Sequence, residues 1–479
     1  MKQPVFDFRR RTKIVCTIGP SSSTYGVLDK MVRSGMDVAR LNLSHGRESD
    51  HALCVDTIRS VANKNGLPVA VLMDLPGPKY RVGELKSGQI TLSRGHEFIL
   101  TNRKVDGDSR EVSVNLPTLT QDIKPHDLVL VDDGAIQLRA RTVSDTDVTC
   151  VVLVGGILMS RRGITVPGMH RSAPFLTEET VAALRFAAGQ RPDFIALSFV
   201  TKAGDVEVVR DILAKLGIVV PLICKIETRQ AIKEFDRILA ASDGIMVARG
   251  DMGVELPLQK VPLVQKEIVR KCNESGKPVI TATQMLESMV SSPRPTRAEV
   301  ADVANAIFDG TDAVMLSAET SIGKHPVQAV RMMAQIAREI DPALPYEKML
   351  HEKHDLAKGK TDDAIAFNAC HTAHQLGAKA IVAFTHSGST AMRVSRYRPR
   401  APILATTPFD SVRRRLALSW GVCSFEVSGV RSVDDLFQRA SQTAMEAGMA
   451  RKKDLVVVTA GIPLGIPGTT NLFKVVEVG

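Results

Sequence analysis

Short apolar runs recur along the chain, and stretches long enough for a helix separate them. Apolar runs bounded by turn residues are typical of strands that are buried on both faces of a parallel sheet. Two of the intervals, residues 202–216 and 264–272, carry helical patterns. We count eight such runs, which is the number of strand–helix units in a (β/α)8 TIM barrel. The predicted strands are residues 14–18, 38–43, 69–75, 194–200, 221–226, 244–247, 278–282 and 313–316.

The interval between the third and fourth runs is far longer than the others, and its pattern differs. Residues 133–143 and 147–154 alternate or run apolar between Gly and Asp turns, which indicates antiparallel strands. We therefore predict an inserted all-β lid domain over residues 76–167, placed on the catalytic end of the barrel. The barrel domain then comprises residues 1–75 and 168–345.

The last third of the chain follows a proline-containing segment at 341–345 and contains a polar segment at 351–360. Strand patterns at residues 380–385, 403–407, 455–459 and 474–478 alternate with helical stretches. These features predict a separate C-terminal α/β domain over residues 346–479.

The composition favours a cytoplasmic protein that binds small anions. The formal net charge is +10, but aromatic residues make up only 4%, so a nucleic-acid partner is disfavoured. The apolar runs are too short for a membrane span, and the first residues lack the apolar segment of a secretory signal. The seven cysteines are scattered and lack CxxC spacing, which is typical of buried thiols in a reducing cytosol.

Charged residues stand where two of the predicted strands end. Lys225 and Glu227 occupy alternate positions, so their side chains point to the same side of the strand. Asp251 follows the next run. Such groups are costly to desolvate unless they hold ligands, and carboxylates together with substrate oxygens commonly bind Mg²⁺ or Mn²⁺. We predict that Glu227 and Asp251 bind this metal; the plainer alternative is two ordinary surface carboxylates.

Six segments of the chain stand out as motifs: ARLNLSHG (39–46), KIE (225–227), MVARGD (246–251), TATQMLES (281–288), RPTRAE (294–299) and MLSAET (315–320). They resemble sequence motifs of pyruvate kinases, and the resemblance extends essentially from end to end. It implies phosphoryl transfer from phosphoenolpyruvate to ADP, a requirement for Mg²⁺ or Mn²⁺, and a homotetramer. The family's barrel, β lid and C-terminal α/β domain agree with the layout predicted above.

The resemblance also implies roles for individual residues. Lys225 is expected to face the transferring phosphoryl group and the enolate oxygen, and Arg40 to clamp the phosphoryl group. Thr283 or Ser317 would deliver the proton to the enolate, with Thr283 favoured, and Glu319 would organise that network. The expected catalytic residues are therefore Lys225, Arg40 and Thr283, and the expected substrate-binding residues are Arg40, Ser198, Ala248, Arg249, Gly250, Asp251 and Thr283.

Two further groups of residues follow from the same resemblance. A strand end followed by a short helix at residues 248–251 offers backbone N–H groups to the substrate carboxylate. Arg81, His45 and Asn42 are expected to bind the nucleotide, although His45 could equally be a loop histidine that only packs.

The C-terminal domain carries a candidate effector site. The loop THSGSTA at 385–391 resembles the phosphate loop at which many pyruvate kinases bind a phosphorylated effector. Residues 461–471 contain no basic residue, whereas relatives regulated by fructose bisphosphate commonly carry a cationic loop there. A sugar monophosphate or nucleotide monophosphate is therefore the expected effector. The predicted effector residues are Thr385, Ser387, Gly388, Ser389 and Thr390.

One departure from the family pattern concerns potassium. Many pyruvate kinases hold K⁺ with groups that match Asn42, Ser44, Asp74 and the carbonyl of Leu75, and they carry glutamate at the position of Lys79. Here the carboxylate is replaced by an ammonium group, which could take the place of the ion. We predict that K⁺ is not required. A solvated loop lysine is the alternative for Lys79.

Other functions are weighed against this one. The first is a catalytically silent relative that acts as a regulatory subunit, which the presence of the expected site residues disfavours. The second is another barrel enzyme that uses phosphoenolpyruvate or pyruvate with a metal, such as an aldolase. It would leave Arg81, the inserted lid and the C-terminal domain without an explanation.

Overall fold

The computed structural model describes residues 7–169, 172, 174–427, 429–430, 432–463 and 468–479. Eight parallel strands form a closed barrel, so the fold class predicted from the apolar runs is confirmed. Every predicted run overlaps one barrel strand. Numbered along the whole chain, these strands are β1 (Lys13–Ile18), β2 (Val38–Asn42), β3 (Ala70–Leu75), β13 (Phe194–Leu197), β14 (Leu222–Ile226), β15 (Gly244–Ala248), β16 (Val279–Ala282) and β17 (Ala313–Leu316).

Helices cover the outside of the barrel and bury their apolar faces against the strands. Helix starts are set by local capping: Thr296 and Glu299 form a reciprocal capping box at the start of one of them. The barrel helices are α1 (Tyr25–Ser34), α2 (Glu48–Asn65), α4 (Glu178–Gly189), α5 (Ala203–Lys215), α6 (Arg229–Lys233), α7 (Phe235–Ala241), α8 (Arg249–Glu255), α9 (Val261–Ser275), α10 (Arg297–Phe308), α11 (Ala318–Ser321) and α12 (Pro326–Ile340).

The segment between β3 and α4 forms a β domain with its own apolar core. Its larger sheet has seven strands and its smaller sheet has two. Most pairs are antiparallel, as the alternating pattern predicted, while one pair is parallel. The elements are β4 (Tyr80–Arg81), β5 (Gln89–Leu92), β6 (Glu97–Thr101), β7 (Glu111–Ser113), α3 (Leu119–Asp122), β8 (Leu128–Val131), β9 (Ile136–Val143), β10 (Asp147–Val154), β11 (Gly156–Met159) and β12 (Gly163–Thr165).

The C-terminal part of the chain forms a five-stranded sheet covered by helices. Sequence analysis missed strand β20, a short segment that follows a glycine turn at Gly421 and contains Cys and Ser. The last strand begins earlier than predicted and is antiparallel. The elements are α13 (Tyr346–Glu352), α14 (Thr361–Gln375), β18 (Ala380–Phe384), α15 (Ser389–Arg396), β19 (Ile403–Thr407), α16 (Asp410–Leu416), β20 (Val422–Glu426), α17 (Val433–Glu446), β21 (Leu455–Gly461) and β22 (Thr470–Glu477).

The C-terminal domain is fixed to the N-terminal end of the barrel strands. Arg398 donates to Asp312, directly before β17, at 3.0 Å, and the Arg398 side chain is only 2% exposed. The same guanidinium lies over the Trp420 ring. Leu418 packs into the apolar cluster that fills the barrel. Within the described residues, this end of the barrel is therefore covered by the C-terminal domain.

Two further predictions concern cysteines and membranes. All seven cysteines are buried and free of disulfides, which confirms the prediction of buried thiols. Within the described ranges, no helix combines the length and the apolar character that a membrane span requires.

Candidate active site

Strand alternation brings the charged residues of the predicted site into the mouth of the barrel. Val38, Leu72 and Ile223 belong to the cluster that fills the barrel. Arg40, Asp74 and Lys225 stand two positions further along the same strands. Because side chains two positions apart share one face of a strand, these three charged groups also point inward, at the carboxyl ends of the strands. This is the end of a (β/α)8 barrel where active sites form.

Asp74 is the centre of this charged cluster, and its side chain is 1% exposed. Its Oδ2 atom accepts from Arg40 Nε at 2.8 Å and its Oδ1 atom from Ser198 Oγ at 3.1 Å. The Lys225 ammonium lies 3.5 Å from Oδ1. Burial alone would raise the pKa of Asp74, but the positive charges of Lys225 and Arg40 outweigh it and lower the pKa. The carboxylate is therefore held in its charged form.

Lys225 bridges two carboxylates from different strand ends. Its ammonium donates to Ser198 Oγ at 2.8 Å and lies 3.1 Å from Glu227 Oε1. Burial would lower the pKa of Lys225, but Asp74 and Glu227 more than compensate and raise it. The Lys225 side chain is thus kept positively charged inside the barrel mouth.

Glu227 has one satisfied and one unsatisfied carboxylate oxygen. Oε2 accepts the backbone N–H of Phe199 at 2.5 Å, whereas Oε1 is buried and accepts no hydrogen bond despite its proximity to Lys225. Burial raises the pKa of Glu227, and the nearby Asp251 carboxylate adds to the shift. An unsatisfied buried oxygen of this kind calls for a further partner.

Asp251 stands in the first turn of α8. Its Oδ1 atom accepts from Lys79 Nζ at 2.8 Å. Burial would raise the pKa of Asp251, but the ammonium groups of Lys79 and Lys225 lower it. Lys79 also lies 3.7 Å from Asp133 Oδ1 of the β domain and 5.9 Å from the Phe199 ring centroid. The stem of Lys79 passes against Gly163, where an added Cβ would lie 2.8 Å from Lys79 Cε.

The residues present fit a divalent cation that completes its coordination with substrate. In the described part of the chain, no group of three or more His, Cys, Asp or Glu side chains could hold a metal. Glu227 and Asp251 supply two carboxylates, and Oε1 of Glu227, which accepts no hydrogen bond within the described residues and lies 3.1 Å from the Lys225 ammonium, could become a ligand. Mg²⁺ is commonly bound by one or two carboxylates together with substrate oxygens and water.

The Arg249 side chain contacts the loop that follows β16, and its part in substrate binding stays a prediction. Its guanidinium donates to the carbonyl oxygens of Thr283 at 2.7 Å and Gln284 at 3.3 Å, and it pairs with Asp302 at 2.7 Å. Thr283 and Gln284 both have positive φ values, 67° and 54°, a conformation that costs energy for non-glycine residues. The Arg249 side chain thus stabilises the loop that carries Thr283.

The Thr283 hydroxyl connects this loop to α8. Its Oγ1 atom accepts the Gly250 N–H at 2.8 Å and lies 2.6 Å from the Ala282 carbonyl oxygen, to which it donates. Residues 248–250 form the start of α8, where backbone N–H groups can face an anion, but the Gly250 N–H is already bonded to the Thr283 hydroxyl. Of the predicted substrate-binding residues, Arg249 therefore stands out as a support for other groups.

Ser317 and Glu319 follow β17, the strand that pairs with β16. Glu319 is fully buried and accepts the backbone N–H groups of Ser317 at 2.6 Å and of Leu286 at 3.1 Å. The Ser317 hydroxyl is buried and has no hydrogen-bond partner. Glu319 thus joins the ends of two strands, in keeping with an organising function.

The residues predicted for the monovalent-cation position come together at the ends of β2 and β3. Asn42 is the register partner of Asp74 on the neighbouring strand, and its Oδ1 atom accepts the Ser44 N–H at 3.2 Å. Leu75 ends β3. Lys79 is not bound among them: its ion pairs within the described chain are with Asp251 and Asp133. Its substitution for K⁺ stays a prediction.

The predicted nucleotide-binding residues lie at the border between barrel and β domain. Arg81 belongs to β4, and its backbone N–H donates to Asn115 Oδ1 at 2.7 Å. Partial burial lowers the pKa of His45, and the positive charges of Arg81 and Arg40 lower it further. His45 therefore lies in a region of positive potential to which Arg81 and Arg40 contribute.

The predicted effector loop is preorganised by its own hydroxyl groups. Thr385 Oγ1 accepts the Gly388 N–H at 2.9 Å, and Ser387 Oγ donates to Ser389 Oγ at 3.1 Å. Thr390 Oγ1 lies 2.9 Å from Thr470 Oγ1. Residues 464–467, part of the segment predicted to lack effector-binding charge, lie outside the described residues.

Three contacts at the site were not anticipated from the sequence. Thr17 accepts from Arg40 Nη1 at 2.8 Å, Asp133 faces Lys79, and Asp302 pairs with Arg249. Thr17 ends an apolar run just as the other site residues do, so the same signal could have identified it. Asp133 and Asp302 carry no such signal, because their partners are distant in sequence.

The fold is a TIM barrel with an inserted β domain, and the mouth of the barrel contains alternating cations and carboxylates. These features define an enzyme of the class that binds small anionic substrates. The chain matches the family model of the pyruvate kinase barrel domain over residues 9–330 and that of the pyruvate kinase alpha/beta domain over residues 363–476. Pyruvate kinases from Staphylococcus aureus strains MRSA252, USA300 and NCTC 8325 are each 45% identical over 472 residues, covering 98% of this chain and 81% of theirs. The chain belongs to the pyruvate kinase family.

Proposed function

We propose that this pyruvate kinase transfers the phosphoryl group of phosphoenolpyruvate to ADP at the cluster formed by Arg40, Asp74, Lys225, Glu227 and Asp251. The bond between phosphorus and the enol oxygen breaks, and a bond to the terminal ADP oxygen forms. The enolate of pyruvate that remains then takes a proton at its methylene carbon. The reaction needs in-line positioning and neutralisation of charge more than covalent participation by the protein.

Lys225 stabilises the charge that develops during transfer. Its ammonium is charged, nearly buried and fixed between Asp74 and Glu227, so it needs no reorganisation when negative charge appears on the enolate oxygen. Arg40 is held by Asp74 and Thr17 and binds the phosphoryl group. Ser198 orients Lys225 through their hydrogen bond.

Glu227 and Asp251 would hold the divalent cation, Mg²⁺ or Mn²⁺. When bound there, the cation supplies positive charge to the substrate oxygens and fixes their orientation. The single observation that best supports this assignment is the buried Oε1 atom of Glu227, which accepts no hydrogen bond although the rest of its carboxylate is satisfied.

The second half of the reaction places a proton on the enolate. Thr283 is our candidate for its delivery, directly or through bound water, because its hydroxyl lies at the start of α8 beside Gly250. The backbone of Ala248, Arg249 and Gly250 would bind the substrate carboxylate. Arg249 acts on this step through the loop of Thr283.

The nucleotide would bind between the barrel and the β domain, which acts as a lid. Arg81, His45 and Asn42 face its phosphates. We also propose that the enzyme works without K⁺, because Lys79 adds a positive charge to the cluster that contains Asp74. Lys225 contacts Asp74, and the Asp251 carboxylate contributes to raising the pKa of Lys225. The Lys79–Asp251 pair therefore belongs to the same charged cluster.

Regulation and assembly complete the proposal. A sugar or nucleotide monophosphate binds the loop of Thr385, Ser387, Gly388, Ser389 and Thr390, whose hydroxyl and N–H groups suit a phosphate. The protein assembles as a homotetramer and functions in the cytoplasm.

A coupled assay of pyruvate formation with phosphoenolpyruvate, ADP and Mg²⁺ tests the proposal. We expect turnover that depends on all three components and that collapses in Glu227→Gln. A silent regulatory subunit would give no turnover with the wild-type chain. Turnover that survives unchanged in Glu227→Gln would instead contradict the assignment of the metal site.

A further inference from the structure

Lys79 lies where the β domain, the barrel and the predicted metal ligands meet. It stands in the connection between β3 and β4, and its side chain is 18% exposed. Its ammonium donates to Asp251 Oδ1 at 2.8 Å, while the Asp133 carboxylate is more distant at 3.7 Å and largely exposed. Since exposed ion pairs contribute little free energy to stability, the pair with Asp251 is the stronger of the two contacts.

The path of the lysine stem directs the ammonium to Asp251. An added Cβ at Gly163 would lie 2.8 Å from Lys79 Cε, so the stem passes directly over the backbone of β12. The Phe199 ring lies on another side of the ammonium, at 5.9 Å. Lys79 is therefore confined by the β domain and delivers its charge into the barrel mouth.

The charges of the cluster cancel one another. Each predicted metal ligand is adjacent to an ammonium group: Glu227 to Lys225 at 3.1 Å and Asp251 to Lys79 at 2.8 Å. The third carboxylate, Asp74, is paired with Arg40. A free dication that approaches this cluster meets carboxylates that are already neutralised, so its attraction to them is weak. An anionic substrate that binds first brings the missing negative charge.

We propose that Lys79 gates the divalent cation: its ammonium and the metal compete for Asp251, so the metal binds weakly until the phosphorylated substrate is present. This inference rests on the assignment of the metal to Glu227 and Asp251 in the proposed function. It makes Lys79 a positioning residue that determines the order in which metal and substrate bind.

Binding of Mn²⁺ alone to the full chain tests the competition, with the free ion measured by electron paramagnetic resonance in the absence of substrate. We expect Lys79→Met to bind Mn²⁺ about tenfold more tightly than wild type, or better, because one adjacent positive charge is removed. Lys86→Met is the matched control, since Lys86 is an exposed β-domain lysine paired with Asp108 at 3.6 Å, and its affinity should equal that of wild type. Unchanged or weaker binding by Lys79→Met would overturn the proposal.

The double variant Lys79→Met/Glu227→Gln separates this inference from the metal assignment. If Glu227→Gln weakens Mn²⁺ binding in that background, the metal site is correct and the competition is judged by Lys79→Met alone. If it leaves the affinity unchanged, the metal assignment itself fails, and the gating inference fails with it.

A second measurement uses the wild-type chain and does not depend on a variant. Reductive methylation followed by mass spectrometry reports how accessible each lysine amine is. Saturating Mg²⁺ together with phosphoenolpyruvate should change the labelling of Lys79 relative to phosphoenolpyruvate alone, because the metal displaces its ammonium from Asp251, whereas Lys86 should not change. Identical labelling of Lys79 in both conditions would contradict the displacement.

Discussion

The Arg249 guanidinium donates a 2.7 Å hydrogen bond from Nη2 to the carbonyl oxygen of Thr283. Arg249 begins α8, whereas Thr283 follows β16, so this contact ties the helix start proposed to bind substrate to the candidate proton donor. The loop it supports contains two consecutive non-glycine residues with positive φ values. A strained loop of this kind persists only when its surroundings hold it in place.

The first prediction follows from this contact. Arg249→Met should lower kcat about 100-fold, because the loss of support displaces the Thr283 hydroxyl from its position beside Gly250. The coupled assay measures kcat, and exchange of the pyruvate methyl hydrogens with solvent measures the proton step separately. Arg270→Met, which removes an exposed arginine paired with Glu274, serves as the control. A normal exchange rate in Arg249→Met would contradict the positioning function.

The second prediction concerns the predicted metal ligand on α8. Asp251→Asn should raise the Mg²⁺ concentration needed for half-maximal activity and reduce turnover about 1,000-fold, because one carboxylate ligand is lost. Titration of activity against Mg²⁺ measures both quantities. Asp236→Asn, at an exposed carboxylate paired with Lys271, should behave as wild type. Near-normal Mg²⁺ dependence of Asp251→Asn would end the assignment.

The third prediction separates the two steps of the reaction. Lys225→Met retains the length of the side chain but removes its charge, so phosphoryl transfer should fall by about three orders of magnitude. Hydrogen exchange of the pyruvate methyl group should persist in part, since another group supplies that proton. Loss of both activities to background would show that Lys225 also takes part in proton transfer or in assembly of the metal site.

The fourth prediction concerns potassium. Turnover with Mg²⁺ and tetramethylammonium should nearly equal turnover with K⁺, because Lys79 already carries a positive charge into the cluster. Lys79→Glu should lose most activity without K⁺ and regain part of it when K⁺ is added, since each unit charge at close range changes the interaction by roughly 4 kcal/mol at an effective dielectric near 20. Many-fold activation of the wild-type enzyme by K⁺ would contradict this prediction.

The fifth prediction uses pH to examine the junction between barrel and C-terminal domain. Burial, with a contribution from Arg398, lowers the pKa of Lys353 to about 7, and its ammonium site donates to the Arg396 carbonyl oxygen at 2.5 Å. Between the folded pKa near 7 and the unfolded value of 10.5, the unfolded chain binds the extra proton, so wild-type stability rises with pH.

Lys353→Met removes this dependence. The variant should therefore gain most in Tm relative to wild type at pH 7, and the gain should shrink as the pH approaches 10. Thermal unfolding at several pH values measures the difference. Lys348→Met is the control, because Lys348 is exposed beside Glu352 and should show no pH-dependent gain. A difference that stays constant across this pH range would contradict the assigned pKa.

The barrel was predictable because its strands are buried on both faces and therefore appear as uninterrupted apolar runs. The same signal placed Arg40, Lys225 and Asp251 at strand ends. Strand β20 was not predicted, because its short segment contains small polar residues and follows a turn. Apolar pattern thus identifies strands well in the barrel and less well in the C-terminal sheet.

The remaining parts of the site depend on contacts between distant segments. The substrate-binding role expected of Arg249 came from a motif, and the motif does not show that its side chain contacts a loop on another strand. Lys79 was expected near Asp74, yet it meets Asp251 because the β domain confines its stem. No pattern within either segment encodes these pairings, since they arise only when the lid is placed on the barrel.

The close passage of the Lys79 stem over Gly163 links two positions in the evolution of this enzyme. A Cβ at position 163 would lie 2.8 Å from Lys79 Cε, so a larger residue at 163 would push the flexible end of the lysine off its present path to Asp251. Related chains with a shorter side chain at position 79 are free of this constraint. Substitutions at the two positions are therefore expected to covary, because a larger residue at 163 would cost the lysine its contact with Asp251.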